Sequence, residues 1–131
     1  IGKRGQPLKE TEKIPYYITI DNSQEYFFMA GVSRVWHNLE MDQKAATLAV
    51  LTTDALGPML QIHNTKKRMP VILPPELALE WIQQDLSEER IAKLATYQCD
   101  PKKFKAWPVA KNFLQAPDPT KEFHYENLPT L

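Results

Sequence analysis

The stretch "IHNTKKRMPVIL", residues 62 to 73, sets a single imidazole, His63, ahead of three cations, Lys66, Lys67 and Arg68. Imidazole is the side chain whose unperturbed pKa lies nearest neutrality, so a histidine held at a helix end can act as acid or base with little tuning. The plainer role for such a ring is a cap that bonds the last helix carbonyls. The three cations also have two readings, a clamp on phosphates or a solvated turn. The local pattern leaves both alternatives open.

Other reactive residue types carry less. His37, His63 and His124 are far apart in the chain and form no close-spaced ligand pattern, so no metal is expected. There is no GxSxG elbow, and the four glycines make no phosphate-cradling loop, so neither a serine hydrolase nor a bound cofactor is expected. Cys99, the sole cysteine, follows a helical stretch in "TYQCDPKK" and reads as a helix-end packing residue rather than a nucleophile. One cysteine excludes an internal disulfide framework and a cysteine-based zinc cluster within this chain.

At 131 residues the elements that position these groups belong to one ordinary domain. Sixteen Lys and Arg balance sixteen Asp and Glu, so any nucleic-acid surface must be local. No apolar run approaches the roughly 20 residues of a bilayer span, and "IGKRGQPLKE" lacks the apolar core of a signal peptide. A soluble, intracellular, monomeric protein with no membrane contact is expected.

After a polar lead-in over 1–13, "IPYYITI" (14–20) reads as a strand ended by Asp21-Asn22-Ser23, and "EYFFMAGVSRVW" (25–36) as a second strand forming a hairpin with it. "ATLAVLTT" (46–53) is a third, and its near-continuous apolar character predicts burial on both faces. Thr53 or Asp54 is expected to cap a short helix through "DALGPMLQI", whose last turn delivers His63. "PVIL" (70–73) is a short buried strand. "PPELALEWIQQ" is a helix with proline in its first turn and Leu77, Trp81 and Ile82 on one face. Ser87 caps "EERIAKLATY", with Glu88 and Glu89 where the helix dipole favours them. "FKAWPVA" (104–110) returns to strand, and 117–131 is an irregular tail. The predicted class is α+β, with an antiparallel, partly barrel-like sheet core and short helices in the second half.

"LTTDALGPMLQIHNTKKRMPVILPPELALEWI" resembles the signature region of the SRAP family, the SOS response-associated peptidase-like or abasic-site processing proteins. The resemblance rests on Thr52 at a strand end, Ile62-His63, Arg68-Met69-Pro70-Val71-Ile72-Leu73 and Trp81. "KIPYYITI", "YFFMAGVSRVW" and "WPVAKNF" extend it from about Lys13 to Leu114. The turn "NTKK" is longer than the family's usual one, and Ala110 stands where a polar residue is usual.

The resemblance implies sensing and covalent capture of abasic sites in single-stranded DNA. The nucleophile would be a cysteine exposed as the mature N-terminal residue by self-cleavage, assisted by a glutamate in a Tyr-Glu-Trp motif and by the histidine of the Ile-His motif. Of that set only His63 is present here. The chain is therefore expected to be the C-terminal part of one SRAP-type domain, partnered by an upstream part of the same protein that carries the Cys and Glu. His63 would then be the catalytic acid or base, with Thr52 positioning the carboxylate. Arg68, Lys66 and Lys67 would hold phosphates, and Trp36 would either stack on a base or pack in the core. Trp81 and Trp107 are assigned to the core. Two other readings are a peptidase acting on proteins and a noncatalytic single-stranded DNA-binding module.

Overall fold

The computed structural model describes residues 12–21, 25–126 and 128–131; most of the polar lead-in and the Asn22-Ser23 turn lie outside them. The chain divides into two compact units, Ile1–Ile18 with Ala106–Thr130, and Thr19–Lys105 with Leu131. The class is α+β. The strands are β1 Tyr16–Ile20, β2 Phe28–Met29, β3 Gly31–Asn38, β4 Gln43–Val50, β5 Thr52–Asp54, β6 Arg68–Pro70, β7 Ile72–Leu73 and β8 Phe104–Pro108. Among the described residues they form four two-stranded ladders, β1 with β8, β2 with β7, β3 with β4 and β5 with β6, and no closed barrel. The register is antiparallel in each of the last three.

Three of these ladders meet at one point. Ala30, Leu51 and Val71 each interrupt a longer extended stretch, so that β2 gives way to β3, β4 to β5 and β6 to β7. Their backbones close a ring: Ala30 N–H donates to Val71 O (2.8 Å), Val71 N–H to Leu51 O (2.9 Å) and Leu51 N–H to Ala30 O (2.9 Å). Each strand therefore changes partner at the junction without leaving a buried backbone group unpaired. Ala30, Val71 and Leu73 are the buried heart of the packing there, covered by Leu51, Leu77, Ala78, Trp81 and Tyr97.

The helices are α1 Met59–Ile62, α2 Pro75–Trp81 and α3 Glu88–Ala95. Proline occupies the first turn of α2, and Ser87 Oγ caps α3 by accepting the Arg90 N–H (3.1 Å). Glu80 of α2 and Arg90 of α3 form a bidentate pair, the second bond at 2.7 Å. Leu77 and Trp81 face the core as predicted, and the Trp81 indole N–H donates to Gly31 O (2.9 Å). Ile82 does not; it follows the end of α2 and is exposed.

Other expectations need correction. β1 pairs with β8 instead of forming a hairpin with the next strand; the hairpin is β3–β4. Residues 43–50 of β4 are exposed throughout, not buried on both faces, because β4 projects from the junction with β3 as its sole strand partner among the described residues. The helix before His63 starts only after Pro58, and Thr52–Asp54 are strand, drawn into pairing with Arg68–Pro70. Gly57 sets that late start: at φ +54° it turns the chain, and a Cβ there would lie 2.7 Å from Pro101 Cβ.

In the unit formed by the chain's two ends, Tyr17 packs on Trp107 with ring centroids 5.1 Å apart. The half-buried Trp107 indole donates to Thr120 O (2.7 Å), and Tyr125 OH donates to Val109 O (2.8 Å). These bonds tie the otherwise irregular residues after 117 to β8 and its continuation.

Candidate functional site

His63 closes α1, its own N–H donating to Met59 O (2.9 Å). The chain then reverses through Asn64–Lys67: Lys67 N–H donates to His63 O (2.8 Å), and Lys67 adopts a left-handed φ of 49°. Such a conformation is unfavourable for a lysine by roughly 1 kcal/mol, and here it swings Arg68 back over the ring.

The register of β5 with β6 decides how Arg68 meets that ring. Asp54 lies opposite Arg68, and Ala55 N–H donates to Lys67 O (2.9 Å). That places Asp54 and Arg68 at a non-hydrogen-bonded position of the ladder, so the Arg68 N–H and C=O point away from β5. Both turn to His63: Nδ1 is 2.8 Å from Arg68 O and 3.2 Å from Arg68 N. With a hydrogen on Nδ1 the ring donates to the carbonyl and Nε2 keeps its lone pair. With Nδ1 bare the ring accepts from the Arg68 N–H and Nε2 carries the hydrogen. One backbone residue thus holds the ring for either protonation role without reorganisation. The capping reading fails in its detail, since the ring bonds Arg68 instead of the last helix carbonyls.

The ring is exposed and lines an open cleft of about 310 Å³ with Thr52, Met59, Ile62, Arg68, Met69 and Pro70. Met59 and Met69 form a buried floor and Thr52 stands opposite Pro70 across the ladder. The structure therefore brings together His63, Thr52 and Arg68. Lys66 and Lys67 are exposed on the adjoining turn without lining the cleft. Among the described residues none of these three cations is in an ion pair.

Trp36 is not among the residues lining the cleft. It lies on β3 opposite Ala45 and is half exposed, against the core-packing alternative. Residue alternation puts Arg34 on the same face. Cys99 is buried, and burial pushes its thiol pKa up against the smaller opposing pull of Lys103, an environment for packing rather than nucleophilic attack. Among the described residues no three His, Cys, Asp or Glu side chains gather into a metal-holding group. No helix among them is long and apolar enough to cross a membrane.

Sequence reasoning missed the apolar cleft floor of Met59 and Met69 and the backbone role of Arg68. The buried "RMPVIL" run hinted at the first. The second depends on strand register, which one sequence does not display.

The abasic site processing protein YedK of Escherichia coli (strain K12) is 29% identical over 101 residues, covering 76% of this chain and 43% of YedK. A crystal structure of a protein from Bacteroides thetaiotaomicron matches with a TM-score of 0.77 at 30% identity, covering 89% of this chain and 51% of that protein. The chain spans about half the length of these relatives. A family profile described as SOS response associated peptidase (SRAP) matches residues 6–115, a stretch that takes in the cleft, the reversal after His63 and the three-ladder junction, and the chain accordingly belongs to the SRAP family.

Proposed function

We propose that this chain is the histidine-bearing part of an intracellular protein that captures abasic sites in single-stranded DNA. The observation that carries the reading is the exposed His63 ring, held at Nδ1 by the Arg68 backbone beside an open cleft. Membership of the SRAP family and similarity to a protein named for abasic site processing support it.

An abasic sugar rests mostly as a closed hemiacetal, and capture begins when the ring opens to the aldehyde. The amine of an N-terminal cysteine, supplied by a segment outside this chain, adds to that carbon to give a carbinolamine. Water leaves, and the thiolate closes a thiazolidine on the same carbon. Ring opening and water loss each move a proton at oxygen, and His63 Nε2 is the group that accepts or donates it, work worth about 10²- to 10⁴-fold. Thr52 positions the carboxylate that shares this task. The Arg68 guanidinium holds a phosphate next to the lesion, Lys66 and Lys67 add weaker phosphate contacts from the turn, and Trp36 stacks on a neighbouring base.

The test is to join the chain to its cysteine-bearing segment and incubate the whole protein with single-stranded DNA containing one abasic site. An SDS-resistant protein–DNA band is expected. A salt-sensitive gel shift without that band would replace capture by simple binding. The family's description as a peptidase supports a second reading. In the reading proposed here proteolysis is self-cleavage that exposes the cysteine; cleavage of an unrelated unfolded protein would instead favour the peptidase.

A further inference from the structure

The β3–β4 hairpin is apolar and open. On one of its faces Val35, Leu48 and Val50 are all exposed, Val35 at 64% and Leu48 at 73%. The register places Ser33 opposite Leu48, Val35 opposite Ala46 and Gly31 opposite Val50, so these side chains share one face. At the root of that face lies an open groove of about 560 Å³, whose lining includes Phe28, Met29, Leu48, Val50, Trp81 and Ile82. Both outer edges of the eight-residue strands lack a strand partner among the described residues. A contiguous apolar face flanked by edges that no described strand pairs with is a surface that a folded protein covers.

We propose that this face and groove are the docking surface for the part of the SRAP fold that the chain does not span. Two facts select that occupant. The chain spans 51% of the Bacteroides relative and 43% of YedK, so a polypeptide of comparable size remains to be placed in each. The face also offers what β-strand addition requires, with main-chain edges beside alternating Val, Ala and Leu side chains. The proposal rests on the reading that the reactive cysteine comes from outside this chain, and it locates where that segment is held. The opposite face, with Arg34 and Trp36, stays open for DNA.

The experiment co-expresses the tagged 131-residue chain with the half of the Bacteroides relative that it does not span. A one-to-one complex is expected on affinity capture, with amides of residues 31–50 newly protected from hydrogen exchange. Val35→Asp with Leu48→Asp should lower capture at least about tenfold, as loss of a central apolar anchor does. Slow exchange at Ala30 and Val71 reports an intact junction in the variant; if it is lost, Leu48→Lys alone replaces the pair. No complex, equal capture of parent and variant, or a hairpin-dependent dimer of the chain alone in sedimentation would each overturn the proposal. Adduct formation on abasic DNA is scored separately. A complex without adduct would refute the reaction and leave the docking surface standing, whereas an adduct unaffected in rate and capture by the substitutions would do the reverse.

Discussion

Two arms leave the junction at Ala30, Leu51 and Val71, and both carry residues assigned to DNA. The β5–β6 arm is three residues long on each side, and Met69 on it, with Ala55 and Met59 just beyond, is buried. The β3–β4 arm is eight residues long on each side and contains no buried residue. Apolar content does not separate them, since "RMPVIL" and "ATLAV" are similarly hydrophobic. What separates them is the presence of packing partners among the described residues. The short arm therefore holds His63 in one place by itself, while the long one has no comparable packing among the described residues. This predicts that substitutions on the short arm act in the isolated chain, and that those on the long arm act mainly once a partner or DNA is bound.

The largest effect is expected at the ring. His63→Ala in the complete protein should slow formation of the abasic-site adduct by about 10²- to 10⁴-fold. Its melting temperature should not change, because the exposed ring bonds only the Arg68 backbone, which water can satisfy. Time courses resolved on denaturing gels give the rate; equal rates would remove His63 from the mechanism.

Next comes stability, where the arms are compared directly. Met69→Ala should cost about 2–5 kcal/mol in urea unfolding of the isolated chain, as deletion of a buried side chain does. Leu48→Ala should cost less than about 0.5 kcal/mol there, as surface substitutions do. If the two costs are alike, the long arm is covered within this chain and the contrast collapses.

The same contrast explains what could be read from the sequence. The helices around Leu77, Trp81 and Ser87 were legible because periodicity, an early proline and a cap are local signals. His63 stood out because its neighbours fix a helix end and a buried strand. The burial of β4 was misjudged because an apolar strand records that it is to be covered, not which segment covers it. The pairing of β1 with β8 joins residues from opposite ends of the chain, as the bond from Val109 N–H to Pro15 O illustrates, and no nearest-neighbour pattern encodes it. The hold of Arg68 on His63 follows from Asp54 lying opposite Arg68, and a one-residue slip of that register would turn those backbone groups inward.

Smaller effects test the DNA assignments. Trp36→Ala should weaken single-stranded DNA binding by about 1–3 kcal/mol if its ring stacks on a base, with urea stability unaltered since the side chain is half exposed. Unchanged affinity would return the long arm wholly to protein contacts. Arg68→Ala should lower the slope of log affinity against log salt by about 0.7–1, the loss of one phosphate contact to single-stranded DNA. Fluorescence anisotropy across a salt series measures it, and an unaltered slope would leave Arg68 only its backbone role.

The smallest effect is acid-dependent and sharpens the contrast at the root of the long arm. The hydrogen bond from Arg90 holds the Glu80 carboxyl below its ordinary pKa, and the pair joins α3 to α2, whose Trp81 donates to Gly31 at the start of β3. A carboxylate lowered in the folded state contributes stability that is fully present above its unfolded pKa, near 4.3, and lost as pH falls through the folded value. The pair is only partly exposed, but solvent still screens it and the contribution is small. Acid should therefore loosen α2 and the Trp81–Gly31 contact first. The reversal from His63 to Arg68, fastened by backbone and ring with no carboxylate in its bonds, should keep its protection longer. Protection factors of α2 amides are expected to fall between pH 5 and the folded pKa of Glu80, and Glu80→Gln should abolish that step while lowering protection modestly at neutral pH. If α2 and the His63 turn lose protection together in the parent, the two arms are not independently anchored.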